Sequence, residues 1–419
     1  MRVISDLHVH SRFAMACSGS ITLPGMEETA LMKGINLVGT GDFTHPEWLK
    51  EIKGILEEVE ETGTFRIKGS KSDVRFILSS EVCTIFQDRK NLTKKIHHCV
   101  LMPSLESVDA LNSVLSKYGS LPSDGRPALS MKASELVEAV MGTNQNAFIF
   151  PAHAWTPYFG VFGSLSGFDS MKEAYEDQEK HIHALDTGLS SDPAMNWRIS
   201  ALDKYALIGT SDMHSLPKMG RKMSIFELDE MSYNDLINAI KENKPPKFSS
   251  TVDFFPEEGK YHFDGHRKCG VSIDPDKQKS ITRCPVCGGK LVIGVLHRIN
   301  SLADRDAGYV PKGRPPFVKV VPLREIIAYV FGKGPISLAV DKIYTSMISQ
   351  LGTEYNILVN ADAQKISDGF GEDIGTAISN MRSGNITIEP GYSGVFGKVD
   401  LLNRDKGKKN PPGWRQKTL

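Results

Sequence analysis

The chain has no apolar run of the roughly 18 residues that a helix needs to cross a bilayer, so no transmembrane helix is expected. It also lacks an excess of either charge. Lys plus Arg number 50 and Asp plus Glu number 50, so no global field advertises a polyanionic partner. A nucleic acid would have to be met by local basic patches and by metals. No Gly-x-x-x-x-Gly-Lys-Ser/Thr loop occurs, which removes the phosphate cradle of ATP-driven unwinding. The opening residues show no signal-peptide pattern, Asp6 falling where an apolar stretch would stand, and the expectation is a soluble, cytoplasmic protein. Cysteine is scarce, six in 419 residues. Cys17, Cys83 and Cys99 are scattered and read as small buried hydrophobes. The other three share one short window, which suggests a metal rather than disulfides.

What is present begins at Val3-Ile-Ser-Asp-Leu-His-Val-His10, an apolar run ending in two histidines one residue apart. Successive side chains of a strand point to opposite faces, so His8 and His10 project together and can share one metal. The pattern recurs at later strand ends. Leu37–Thr40 leads to Asp42, Arg75–Ser80 to Glu81, Ala147–Ala152 to His153, and Ala206–Ser211 to Asp212 and His214; Ile96–Leu101 carries His97 and His98. Between these runs lie helical spacings at 26–33, 46–62, 105–118 and 133–141. Strand, ligand, helix, repeated, predicts a parallel α/β barrel with its site at the carboxyl ends of the strands.

This ordered set resembles the motifs of the PHP (polymerase and histidinol phosphatase) family of metal-dependent phosphoesterases over roughly residues 1–250. The resemblance implies a distorted seven-stranded (β/α) barrel holding two or three zinc or manganese ions. Its ligands would be His8, His10, Asp42, Glu81, His97 or His98, His153, Asp212 and His214, with Glu81 as the bridging carboxylate. The family reads Thr-Asp-His where this chain has Gly41-Asp42-Phe43, so two tightly held ions are the expectation.

Two further stretches belong to the same edge. The aromatic and glycine-rich segment Ala154–Gly163 is open between stacking on a nucleobase and plugging the barrel. In Asp186-Thr-Gly-Leu-Ser-Ser-Asp192-Pro, Asp192 is either a helix cap or, beside the metals, a ligand or catalytic proton carrier alongside Asp212.

Residues 241–260 shift toward proline and charge and mark a domain boundary near 250. After it come His266-x-x-Cys269 and, fourteen residues on, Cys284-x-x-Cys287. Two ligand pairs on tight turns suit one tetrahedral structural zinc, with His262 as the alternative to His266. Val292–Arg298 reads as a strand, 310–316 as a basic Pro/Gly stretch, and 323–331 and 340–351 as helices. Residues 391–398 read as turns that bring backbone close to something, and 403–417 close the chain with six cations against Asp405. The organisation is thus a barrel at 1–250, a ribbon at 258–300 and a helical DNA-binding part at 301–419.

Taken over its full length, with Gly39–Asp42, Thr187–Pro193, Gly265–Cys269 and Leu302–Arg305, the chain is similar to a DNA-repair branch of that family. The resemblance implies nicking 5′ to deaminated bases (uracil, hypoxanthine, xanthine) and abasic sites. Zinc would sit in the barrel and the ribbon, Mg²⁺ or Mn²⁺ are candidate activators, and damaged DNA is the partner, with a sliding clamp left open as a second. A small-molecule phosphatase on the same barrel is the alternative.

Overall fold

The structure is a computed structural model that describes residues 1–278 and 281–404; the cationic tail after Arg404 lies outside the described residues. Among the described residues the first strands are β1 (Arg2–Asp6), β2 (Leu37–Gly39), β3 (Leu56–Glu58), β4 (Phe65–Ile67), β5 (Arg75–Gln87), β6 (Thr93–Met102), β7 (Ala128–Leu129) and β8 (Phe148–Pro151). They continue with β9 (Ala184–Asp186), β10 (Ala206–Ile208), β11 (Met223–Glu227), β12 (Phe248–Phe254), β13 (Asp264–His266), β14 (Val271–Ile273), β15 (Phe317–Val320), β16 (Thr387–Glu389) and β17 (Lys398–Asp400). The helices are α1 (Leu23–Lys33), α2 (Pro46–Ile55), α3 (Leu105–Leu115), α4 (Ala133–Thr143), α5 (Met171–Tyr175), α6 (Pro193–Asn196), α7 (Tyr233–Glu242) and α8 (Val295–Leu302). The chain then adds α9 (Leu323–Phe331), α10 (Leu338–Leu351), α11 (Ala363–Phe370) and α12 (Glu372–Ser383).

Val3 to Asp6 are all buried, and a strand covered on both faces belongs mid-sheet. Accordingly β1 runs parallel to β2 on one side and antiparallel to β11 on the other. From β2 the sheet continues through β5, β6 and β8. β9 and β10 form a parallel pair beside it, since Ala154 N beyond β8 donates to Asp186 O. Alternate residues of these strands, Val3, Leu37, Ile77, Leu101, Phe150, Ala184, Ile208, Phe226 and Phe248 among them, meet in one apolar cluster. The other alternates, such as Ile4, Val38, Phe76 and Val100, pack outward against helices. In α1, for example, Leu23, Met26 and Ala30 fall on the buried face, Thr22 caps the start and Gly34 ends it at φ 82°, where a Cβ would be strained.

The mixed α/β architecture departs from a regular parallel alternation. β5 and β6 form a long antiparallel hairpin with ten paired positions, and β6 is antiparallel to β8. Glu81 and His97 therefore sit within strands, not at their ends. The boundary drawn near residue 250 falls inside β12, which pairs with β11, and β15 from the C-terminal part extends the same sheet parallel to β12. A buried ion pair, Lys33 to Glu354 at 2.6 Å, ties α1 to the C-terminal helices.

Residues 292–298 are not a strand. Gly294 starts α8, whose Val295, Ile299 and Leu302 follow the helical period and pack inward. The first turn closes on the Tyr261 and His262 carbonyls. β13 and β14 form the ribbon hairpin, and α9 to α12 gather Ile326, Val340, Tyr344, Met347, Ile374 and Met381 into a helical core.

Candidate metal centre

His8 and His10 leave the end of β1 on one side, their ring centroids 5.4 Å apart. They meet Glu81 from the middle of β5 and Asp212 from the segment after β10, and one ligand atom from each of the four falls within 4.8 Å of the others. His10 Nε2 is 3.1 Å from Glu81 Oε2 and 3.2 Å from Asp212 Oδ1; His8 Nε2 is 3.6 Å from both. Glu81 turns its other oxygen to a second group. Its Oε1 is 2.8 Å from His97 Nδ1 and 3.1 Å from His153 Nε2, and the two imidazole nitrogens are 3.2 Å apart.

These groups fit divalent cations. His8 Nε2, His10 Nε2 and Asp212 Oδ1 are buried without a hydrogen-bond partner among the described residues, a costly arrangement unless something else binds them. Burial pushes His97 down to about 4 despite the pull of Glu81. Burial opposes ionisation of Glu81 and Asp212, but the surrounding imidazoles, with Arg126 beside Glu81, hold both carboxyls well below the usual range. Imidazole and carboxylate together suit zinc or manganese better than magnesium.

The backbone is strained where it delivers these groups. Asp42, His153 and Asp212 take φ of 46°, 29° and 49°, a left-handed region that side chains other than glycine rarely adopt. The loop after β9 presses on His153 so closely that a Cβ on Gly188, itself at φ 54°, would lie 2.6 Å from the His153 Cβ. Lys222 Nζ, fully buried, pins that loop by donating to Thr187 Oγ1, Gly188 O and Ser191 O while pairing with Asp253 at 2.6 Å.

Several candidates stand elsewhere. Asp42 is outside both groups: its Oδ1 accepts from His10 Nδ1 at 2.9 Å, and its Oδ2 accepts from Ser11 N and Ser11 Oγ at 2.6 and 2.7 Å. Both its oxygens are engaged, one of them orienting His10. Phe43 beside it is core. Of the two adjacent histidines, strand alternation sends His98 to the opposite face from His97. There His98 lies against Tyr175, neither ring nitrogen has a partner among the described residues, and burial pushes it down to about 3. His214 borders the first group, its ring 4.8 Å from His10 and its Nδ1 donating to Asp212 O. Asp192 caps α6 through Met195 N and pairs with Lys319 at 2.7 Å, so both its oxygens are engaged away from the two groups.

Two residues at the centre escaped the sequence reading. Asp186 ends β9 as the other ligands end their runs, and its Oδ2 accepts from His153 N at 2.9 Å and lies 3.3 Å from His8 Nδ1. Arg126, 3.2 Å from Glu81 Oε2, comes from a turn with no periodic signal. A carboxylate behind a ligating imidazole sets its tautomer and orientation, and losing one costs about 10–100-fold in metal affinity or activity. Asp42→Asn is therefore expected to raise the metal concentration needed for half-maximal activity by about 10–100-fold, read by titrating metal into stripped protein; an unchanged titration would contradict the orienting role.

In the ribbon, His266, Cys269, Cys284 and Cys287 bring one ligand atom each within 4.8 Å of the rest; His262 is not among them. Burial opposes the Cys284 thiolate, but N–H bonds from Cys287 and Val286 carry it down to about 6, ready to ligate near neutral pH.

Residues 322–385, spanning α9 to α12, match the MJ0043 C-terminal domain family. The chain is 32% identical over 270 residues to the protein MJ0043 of Methanocaldococcus jannaschii, a match covering 62% of this chain but only 32% of that longer protein. It is 28% identical over 414 residues to YqxK of Bacillus subtilis, covering 95% and 99% of the two chains. Among solved structures it is similar to the lesion-specific endonuclease PfuEndoQ of Pyrococcus furiosus, with 33% identity, a TM-score of 0.83 and coverage of 97% and 98%. It is equally similar, at 33% identity and a TM-score of 0.84, to endonuclease Q bound to a 27-mer duplex with an abasic lesion at the active site. Aligned almost end to end with these structures at 33% identity, the chain belongs to the endonuclease Q family.

Proposed function

We propose that this protein is a metal-dependent DNA repair endonuclease that hydrolyses the phosphodiester 5′ to a deaminated base (uracil, hypoxanthine or xanthine) or an abasic site. One observation carries the reading: Glu81 serves two imidazole groups with its two oxygens, in a chain that aligns end to end with an endonuclease held on an abasic duplex. In this reading the sheet, including the whole of β12, belongs to a distorted (β/α)7 barrel, the segment around His266–Cys287 is a zinc ribbon, and α9 to α12 form a helical DNA-binding part.

Divalent ions bound there supply Lewis-acid polarisation and bring the pKa of water down toward about 7. His8, His10 and Asp212 would hold one, His97 and His153 the other, and Glu81 both. Asp212, whose side chain is 24% exposed, would hold its ion at the solvent-facing edge of the first group, with His214 beside it. Arg126 keeps a fixed positive charge beside Glu81, where the phosphodiester gains negative charge. His266, Cys269, Cys284 and Cys287 would close around a structural zinc that takes no part in the chemistry. Drawing the damaged nucleotide out of the stack costs least where its pairing is already weak.

The test uses labelled duplexes carrying one uracil, hypoxanthine, xanthine or abasic site, or none, with added zinc, manganese or magnesium, and maps each cut to the nucleotide. A single nick 5′ to the lesion is expected, with the undamaged duplex intact. Turnover of a chromogenic phosphate monoester with no duplex nicked would overturn the reading in favour of a small-molecule phosphatase.

A further inference from the structure

Lys222 stands just before β11 and is 0% exposed, as is Asp253 of β12. Burying an ammonium is costly unless it is both paired and supplied with acceptors, and this one is. Asp253 lies 2.6 Å away and is itself held by a bond from Thr251 Oγ1. The rest of the ammonium faces the loop after β9, where Thr187 Oγ1, Gly188 O and Ser191 O accept at 2.6, 2.6 and 2.9 Å. The Thr187 hydroxyl is turned for this, since its own proton goes to Ile208 O at 3.2 Å. Inward-facing oxygens need a donor, and here one side chain supplies three residues.

A second ion pair closes the far end of the loop. β12 and β15 are in register at Asp253 and Lys319, so the strands set a carboxylate and an ammonium side by side. Asp253 holds Lys222, and Lys319 reaches Asp192 at 2.7 Å. Within the loop Ser191 Oγ donates to Thr187 O at 2.9 Å, and Asn196 Nδ2 donates to Ser191 Oγ at 3.1 Å and to Asp192 O at 2.8 Å. Asn196 Oδ1 accepts from Trp155 Nε1 at 2.8 Å. The aromatic segment Ala154–Gly163, with Trp155, Val161 and Phe162 buried as a plug, is thereby tied to the same loop.

What the loop supports is a pair of candidate ligands. Asp186, at its start, accepts from His153 N at 2.9 Å through Oδ2, which also lies 3.3 Å from His8 Nδ1, and its Oδ1 accepts from Gly188 N at 2.8 Å. A Cβ on Gly188 would lie 2.8 Å from the His153 Cα, so the loop backbone stands directly behind that histidine. His153 sits at φ 29°, and a residue in that region relaxes unless its surroundings hold it. We propose that Lys222, with Asp253, is a positioning residue for the metal centre: it fixes loop 187–191, and the loop keeps His153 and His8 aimed at their ions. The proposal rests on the metal-centre reading and deepens it, making β12 and β15, beyond the barrel strands, a support of the centre's affinity for metal.

Titration of metal-stripped protein with cobalt(II), followed by absorption, tests it. The thiolates of Cys269, Cys284 and Cys287 give cobalt in the ribbon a sulfur-to-metal charge-transfer band that imidazole and carboxylate lack, so ribbon and centre are read separately in one sample. Lys222→Met is expected to weaken cobalt binding at the centre by about tenfold or more, with the ribbon band titrating as in the wild type. Thr187→Val removes one acceptor and leaves the ion pair; it is expected to show a smaller loss in the same direction, and it carries the test where Lys222→Met does not fold. Titrations are run well below the melting temperature of each stripped protein, where a loss of stability alone leaves the affinity of the folded centre unchanged. Wild-type affinity at the centre in both variants, or equal weakening at centre and ribbon, would overturn the positioning role while leaving the metal centre intact. Absence in the wild type of any cobalt spectrum beyond that of the ribbon would instead remove the metal-centre reading itself, and the positioning role with it.

Discussion

Glu81→Gln is expected to slow the proposed lesion-directed nicking by roughly a thousandfold or more, because one substitution would strip a ligand from both proposed metal positions at once. The replacement is nearly isosteric, and the neighbouring side chains keep their places. What changes is charge. Glu81 Oε2 faces His8, His10 and Arg126, and Oε1 faces His97 and His153, so the anion that lets two cations approach each other becomes a neutral amide. Metal per chain should fall in parallel, leaving the ribbon equivalent. The measurements are single-turnover nicking and elemental analysis on the same preparation. A variant that kept its metal and stayed within tenfold of the wild-type rate would contradict the shared-carboxylate arrangement.

Cys284→Ser is expected to unfold the ribbon while sparing the sheet. Apart from the four ligands, the ribbon has little to hold it: its own apolar cluster adds only Ile273 and Leu291, with Val271 and Ile281 against them. A module of that size depends on its metal, and structural zinc contributes roughly 10–16 kcal/mol of binding free energy to such folds. The expected results are loss of one zinc per chain and new protease cleavage between residues 264 and 291. The main thermal transition is retained, because the sheet and the C-terminal helices pack into much larger clusters that this one does not join. Unchanged zinc content together with unchanged protease resistance would rule out a metal-dependent ribbon.

Much of the centre could be read from residue pattern alone because each ligand ends, or interrupts, an apolar run. His8, His10, Glu81, His153 and Asp212 carry that signature, and their convergence needed only the premise that the strands share a sheet. His97 could not be separated from His98 that way. Alternation puts them on opposite faces, and only the register of Cys83 against His97 in the hairpin says which face holds the metals. Asp42 has the right residue type in the right place but spends its oxygens on His10 and Ser11, a distinction of about one bond rotation that no spacing encodes. Asp186 carried the signal and was passed over for Asp192, six residues on, which precedes a proline and serves as a helix cap. The strand assigned to 292–298 followed the local β-branched composition, whereas Val295, Ile299 and Leu302 already had helical spacing. The boundary near 250 followed proline and charge, but composition is blind to pairing, and β12 is held between β11 and β15.

The central claim is that distant imidazoles and carboxylates converge to hold divalent ions that cut a DNA backbone, and anomalous scattering from crystals grown with zinc or manganese tests it most directly. The account predicts one peak among His8, His10, Glu81 and Asp212 and a second among Glu81, His97 and His153, about 4 Å apart. Metal at the four ribbon ligands, with neither of those positions filled in protein that nicks lesion duplexes, would contradict it.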